Sequence, residues 1–210
     1  MAELTGIWQV NLHDMMAEIG EEQTKKLLSG FLCPQNPDVQ SFLREKAILF
    51  ARQGYAATYL VFMSFQGKTV LVGYYALAIK AVAIKGTALN QKWRSRLRRY
   101  ASYDEELKQF TIALPLIGQL GKNFANGYHR LITGDELLHL ACDRVRRLQV
   151  MASGKMAYLE CEDIEPLTSF YERNGFIRFA NRNLDGDEQD SSKTPYLVQM
   201  IKDFSGKDNP

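Results

Sequence analysis

Leu114 to Leu140 reads LPLIGQLGKNFANGYHRLITGDELLHL. An apolar run (Leu114, Leu116, Ile117, Leu120) closes on Gly121, a polar connection bearing Gly127 follows, and a helix opens at Thr133-Gly134-Asp135-Glu136. A strand that feeds a loop and then a helix start gathers backbone N–H groups at one place. The first turn of a helix has donors without intrahelical partners and carries the positive end of the helix dipole. The arrangement suits an anion such as a pyrophosphate, although the same connection also occurs in proteins that bind nothing there.

Downstream of this stretch the helix continues through Leu137, Leu138, Leu140, Ala141, Val145 and Leu148, and Arg144, Arg146 and Arg147 are expected at its negative end. Lys155 to Asp163 reads as a strand ending in acids, Glu165-Pro166 opens a helix to Asn174 that Gly175 closes, and two strands follow at Phe176–Ala180 and Pro195–Ile201. The polar segment from Asn183 to Ser192 is expected to be a mobile loop and lacks the spacing of a calcium loop. Upstream, Asn11 to Gly30 is an amphipathic helix bent at Gly20, Pro34 and Pro37 break it, and Asp38 is placed to cap a helix. That helix carries Val39, Phe42, Leu43, Ala47 and Phe50 on one face and stops at Gly54. Ala57–Met63 and Val70–Ile84, joined by a short Gly-bearing connection, read as an antiparallel hairpin. Two helices followed by a hairpin argue against a doubly wound parallel sheet.

A length of 210 residues fits one domain, residues 1–210, with an N-terminal helical element over 1–30 and a frayed tail over 204–210. With 46% hydrophobic and 24% charged residues the chain is an ordinary globular protein, and a net charge of +2 does not by itself indicate a nucleic-acid binder. Cys33, Cys142 and Cys161 are odd in number and far apart, with no CxxC and no metal spacing. They read as reduced thiols in a cytoplasmic protein without a metal. No apolar run approaches a membrane span, and the N-terminus lacks the shape of a signal peptide. The positive charge is concentrated between Leu89 and Tyr100, where Lys92, Arg94, Arg96, Arg98 and Arg99 alternate with Trp93 and Tyr100. Such a run either neutralises nucleic-acid phosphates while its aromatics stack on bases, or is a solvated face.

Three words of the sequence carry a family resemblance: Val72-Gly73-Tyr74-Tyr75-Ala76-Leu77-Ala78, the strand, loop and helix from Leu114, and Phe170-Tyr171-Glu172-Arg173-Asn174-Gly175-Phe176. From about Phe31 to Ile201 the chain resembles the GNAT superfamily of N-acetyltransferases. Phe31-x-Cys33, the Asp38 helix and the GYYALA strand are similar to acetyltransferase toxins of bacterial toxin–antitoxin pairs, and other words are similar to GNAT proteins of bacterial and prophage genomes. The resemblance implies an α/β (α+β) fold with a mixed, mostly antiparallel central sheet, splayed fourth and fifth strands, and flanking helices.

It also implies acetyl-CoA as cofactor. The pantetheine arm would pair with the strand end at Leu120, Gly121 and Lys122, and the pyrophosphate loop would fall on His129 to Gly134, so that Arg130, Thr133, Gly134 and Asp135 are cofactor-binding candidates. Only Gly134 matches the family's loop pattern; Ile132 stands where the middle glycine is expected and His129 where Gln or Arg is expected. Gly127 and Lys122 are the expected compensation. Ile164 occupies the place of a helix asparagine that touches the cofactor in relatives. Tyr171 matches the tyrosine that protonates the departing thiolate. The attacking amine must also lose a proton, and Glu160, then Glu162, are the candidate bases, alternating onto one strand face with Tyr158. The expected reaction is direct attack of a primary amine in a ternary complex. The toxin-like similarity implies as acceptor the α-amino group of an aminoacyl-tRNA, held by Lys92, Arg94, Arg96, Arg98 and Arg99; the alternatives are a protein lysine or terminus, a small amine, or a non-catalytic coenzyme A or partner binder. A homodimer and an antitoxin-type protein partner accompany that reading, and no membrane does.

Overall fold

The computed structural model describes residues 6–186 and 194–205. The chain opens with strand β1 (Ile7–Asn11), which the sequence reading did not anticipate. Asn11 ends it and caps the next helix, its side chain accepting from the His13 N–H at 2.8 Å. Helices α1 (Leu12–Ile19) and α2 (Glu21–Ser29) are divided at Gly20, whose φ of 82° favours glycine. Helix α3 (Pro37–Ser41) is capped by Asn36, whose side chain accepts from Val39 N–H, and not by Asp38 as expected. Asp38 lies one residue inside, where its carboxylate instead accepts from the Gln119 amide at 3.0 Å. A π-helical turn, Phe42–Lys46, leads into α4 (Ala47–Arg52), and α3, the turn and α4 together present Val39, Phe42, Leu43 and Ala47 to the core.

The expected hairpin is β2 (Ala57–Phe65) and β3 (Lys68–Lys85), turning on Gln66 and Gly67 with φ of 51° and 73°. Two consecutive left-handed residues make the tight turn whose twist matches that of the flanking strands. There follow α5 (Gln91–Leu97), β4 (Ser102–Asp104), β5 (Gln109–Lys122), a 3₁₀ stretch over Ala125–Arg130, and α6 (Gly134–Ala152). Strand β6 (Met156–Glu162), α7 (Glu165–Arg173), β7 (Ile177–Asn183) and β8 (Tyr196–Asp203) complete the order. The strands form one eight-stranded sheet in the order β1-β2-β3-β5-β6-β8-β7, with β4 beside β5. Pairs β1/β2, β2/β3, β4/β5, β6/β8 and β7/β8 are antiparallel. Strands β5 and β6 are parallel and share a single register pair, Leu116 opposite Tyr158. The short β4 shifts the count, so these are the expected fourth and fifth strands, paired as sparsely as strands that part should be.

Arg144, Arg146 and Arg147 do not sit at a helix end. Helix α6 runs on to Ala152 and has no basic residue in its last turn, so dipole compensation does not explain them. The Arg146 guanidinium lies 4.6 Å from the Phe204 ring. Residues 187–192 of the expected polar loop and 206–210 of the expected tail lie outside the described residues.

The chain packs as two compact units: residues up to 78 with 117–143, and 79–116 with 144 onward. The first has a core of Leu12, Leu28, Phe31, Leu43, Leu60 and Tyr74. The second is built on Val82, Ile84, Trp93, Leu97, Phe110 and Tyr158. The three cysteines are buried and form no disulfide, packing as small hydrophobes. Among the described residues no helix is long and apolar enough to cross a membrane.

Candidate active site

All seven cofactor-binding candidates lie in the first unit. The helix start at Thr133 forms as read: Thr133 Oγ1 accepts from the Glu136 N–H at 3.1 Å, while the Thr133 N–H and hydroxyl donate to the Glu136 carboxylate at 2.7 and 2.8 Å. This reciprocal cap fixes where α6 begins. It uses two donors of the helix tip and places a carboxylate there. Arg130, Thr133 and Asp135 are exposed and Gly134 is half-buried. An exposed arginine shortly before a helix start whose first residue lacks a side chain is a donor set that fits a pyrophosphate.

The connection to that tip is held from within. Asn126 and Gly127 adopt left-handed conformations (φ 51° and 76°). Lys122 Nζ donates to the His129 carbonyl at 3.1 Å, and the His129 ring stacks on Phe124 with centroids 4.4 Å apart. Lys122 therefore spans the loop, and His129 packs within it. Ile132, standing at the family's middle glycine, is 2% exposed and serves as a core anchor. Gly121 is required by packing: a Cβ there would stand 2.4 Å from Val39 Cγ1 and 3.4 Å from Phe31 Cζ. Asn123, which the sequence reading passed over, pins the strand end. Its amide donates to the Leu71 carbonyl (2.8 Å), its Oδ1 accepts from the N–H groups of Leu32 and Ala125 (3.0 Å each), and its own N–H reaches the Val72 carbonyl (2.8 Å).

The catalytic candidates lie in the second unit. Tyr171 occupies the last turn of α7, 8% exposed, its ring set edge-on to Phe170 (4.9 Å) and Phe176 (5.9 Å). The helix ends there because Gly175 takes a left-handed φ of 82° and the Phe176 N–H turns back to the Tyr171 carbonyl at 3.1 Å. This closure is the structural content of the FYERNGF word.

Glu160 and Tyr158 share a strand face as expected, and the Tyr158 hydroxyl donates to Glu160 Oε1 at 2.5 Å. Two cations converge on the same carboxylate: Lys80 Nζ lies 2.9 and 3.0 Å from its oxygens, and the Arg182 guanidinium 2.9 Å from Oε2. The Gln199 amide donates to the Tyr158 oxygen at 2.6 Å, completing a relay across four strands. Burial alone would raise the Glu160 carboxyl, but the bonds from Tyr158, Lys80 and Arg182 outweigh it and hold the group below its ordinary value. Burial first, and the Glu160 charge next, push the Tyr158 phenol well above its ordinary range. A carboxylate with both oxygens committed to cations is a weak acceptor for a substrate proton. The geometry therefore suits Glu160 to anchoring better than to the base role expected of it. Glu162 is half-buried. Burial and then Asp163 push the Cys161 thiol up to about 12, which disfavours the thiolate that a nucleophile needs.

The basic stretch divides in two. Trp93 is buried in the second core, so it offers no face to a base. Arg96 is ion-paired with the buried Asp203 at 2.7 Å and lies over the Trp93 ring at 5.5 Å. Lys92, Arg94, Arg98, Arg99 and Tyr100 are exposed, with Arg98 5.8 Å from the Tyr103 ring centroid. Lys80, Arg182 and Gln199 were missed. The one available signal was a lysine inside the otherwise apolar run of β3.

No family model matches the chain. No curated protein matches it. Solved structures do match, over nearly the whole length. A tyrosine-to-phenylalanine mutant of KacT superposes with a TM-score of 0.59 at 15% identity, covering 92% of this chain and 94% of that one. AtaT complexed with acetyl-methionyl-tRNAfMet gives 0.60 at 16% identity, covering 91% and 93%. AtaTR bound with AcCoA gives 0.52 at 16% identity, covering 92% of each chain. At such identities the likeness is one of fold, and the fold is the GNAT fold that the sequence words implied.

Proposed function

We propose that this chain is an acetyl-CoA-dependent N-acetyltransferase acting on a primary amine, with the α-amino group of an aminoacyl-tRNA as the acceptor. The observation that carries the reading is the whole-length likeness to proteins solved with AcCoA and with an acetylated aminoacyl-tRNA. Bound acetyl-CoA supplies a thioester whose acyl carbon is open to attack. The helix start at Thr133, Gly134 and Asp135, with Arg130, holds the pyrophosphate, and the strand end at Leu120, Gly121 and Lys122 offers its backbone to the pantetheine arm. Tyr171 gives its phenolic proton to the leaving sulfur, which would otherwise depart as a thiolate. Glu160 keeps Lys80, Arg182 and Tyr158 in place, and the amine loses its proton to another acceptor. The exposed Lys92, Arg94, Arg98 and Arg99 bind RNA phosphates, while Arg96 braces the helix that carries them. A single catalytic domain, a cytoplasmic location and an antitoxin-type partner belong to the same reading.

The test is mass spectrometry of a cell extract incubated with the protein and acetyl-CoA. Acetyl groups should appear on aminoacyl-tRNA, and Tyr171→Phe should slow transfer about 10²- to 10⁴-fold while acetyl-CoA still raises its melting temperature. Acetyl groups found only on protein lysines or small amines would reassign the acceptor. No thermal shift with acetyl-CoA in either protein would remove the enzyme reading altogether.

A further inference from the structure

The carboxylate of Asp38 is left over from helix capping. Asn36 caps α3 in its place, and Asp38 turns to the sheet, where Oδ2 accepts from the Gln119 amide at 3.0 Å. Among the described residues it forms no ion pair. A carboxylate only accepts, so the amide nitrogen of Gln119 must face it and Oε1 must face away. That oxygen is buried and has no hydrogen-bond partner among the described residues. An acceptor shielded from water and without a donor is costly, and one beside a carboxylate that lacks a cation points to a ligand bringing donors and positive charge.

The pair stands beside the strand end to which the pantetheine arm is assigned. Gln119 and Gly121 are two apart on β5 and share a face. A Cβ on Gly121 would meet Val39, the residue after Asp38, and the Tyr74 hydroxyl donates to the Val39 carbonyl at 2.5 Å. Helix α3 is thereby pinned over Gln119 and Gly121, all within the first unit. Asp38 and Gln119 are each half-buried, so the pair stays part-open to solvent.

We infer that Asp38 and Gln119 receive the amino group of the acceptor. The inference rests on the acetyltransferase reading and adds to it the place where the amine enters. A protonated primary amine carries three N–H donors and one positive charge. Asp38 offers the opposite charge and its second oxygen, and Gln119 Oε1 offers a further acceptor. Charge-assisted bonds of this kind are roughly twice as strong as neutral ones, so the site favours an ammonium over a hydroxyl of the same size. The same carboxylate repels anions, which sets this pair apart from the helix tip at Gly134 that suits the pyrophosphate.

Acetyl transfer to aminoacyl-tRNA, followed by coenzyme A release, tests the inference. Asp38→Asn keeps an oxygen for the Gln119 amide and removes only the charge; it should lower kcat/KM for the acceptor by about 10-fold or more. Asp38→Glu should recover part of the loss, and calorimetry should give both variants the wild-type Kd for acetyl-CoA. Binding supplies a second readout that a packing role would not move: wild type should hold aminoacyl-tRNA more tightly than deacylated tRNA, and Asp38→Asn should hold the two alike. If Asp38→Asn does not fold, Gln119→Met, which deletes the orphan oxygen, carries the same comparisons with a smaller loss. A wild type that releases no coenzyme A with aminoacyl-tRNA removes the functional reading and this inference with it. A wild type that turns over while the variants keep its kcat/KM, still prefer the aminoacyl form, or lose acetyl-CoA affinity in step overturns the amine site alone.

Discussion

In the first unit the end of β5 is set by close packing: Gly121 lies under Val39 with no room for a methyl group, and Asn123 satisfies three backbone groups around it. In the second unit the middle of β6 is set by charge, where one carboxylate holds a lysine, an arginine and a buried phenol drawn from β3, β7 and its own strand. Both devices fix a strand beside candidate site residues, but they answer to different variables. Close packing is indifferent to pH and salt, whereas a buried ion cluster is stable only while its carboxylate stays ionised.

The sharpest way to break the contrast is to remove the central charge. Glu160→Ala leaves Lys80 and Arg182 without their shared counter-ion and should cost about 3 kcal/mol, the low end for breaking a buried pair because Lys80 is partly exposed. Urea melts at neutral pH measure it. The sign with pH follows from the direction of the shift. Glu160 is held below its unfolded value, so its contribution is complete above about pH 5 and is lost as pH falls through and below about 4. Glu160→Gln should therefore flatten the acid limb of the stability profile, and an unchanged limb would assign acid sensitivity to other carboxylates such as Asp163, which the Tyr196 hydroxyl and then Arg178 hold down.

The packing device is probed by Gly121→Ala. The added methyl meets Val39 Cγ1 at 2.4 Å and should cost about 1–3 kcal/mol at every pH, as overpacking does. Val39→Ala in the same chain should recover part of that loss, since residues in contact couple. A penalty that varied with pH, or a double variant no better than the single, would dissolve the distinction between the two units.

Much of the fold was legible wherever its signals are local. The Gly-bearing turn between β2 and β3, the Thr133 to Glu136 cap and the closure at Gly175 each lie within a few residues of sequence. Around Glu160 the partners are far apart: Lys80 stands eighty positions away, and Arg182 and Gln199 come from later strands, so nothing in a local window announces them. Strand β1 escaped for the same reason, since its five residues gain their pairing from Val61, Phe62 and their neighbours on β2. Asn36 rather than Asp38 caps α3, because proline takes the first helical position and moves the cap upstream of it. The length of α6 was misjudged where apolar spacing gave way to three arginines, a pattern that an exposed helix face produces as readily as a helix end.

The smallest expected effect lies at the tip of α6, where charge enters the first unit as well. Glu136 accepts two bonds from Thr133 and returns one through its own N–H, so Thr133→Ala removes the hydroxyl from both. The loss should be about 1 kcal/mol, the usual value of an N-cap, and should lower the melting temperature by about 2–4 °C in a chain of this size. Thr133→Ser keeps the oxygen and should melt with wild type. Because the Glu136 carboxylate then loses its nearest hydroxyl donor while staying at the helix tip, Thr133→Ala should also bind acetyl-CoA more weakly than Thr133→Ser does, if the proposed pyrophosphate site is there. Equal affinities in the two variants would leave the cap as a purely structural device and move the cofactor's phosphates away from this helix.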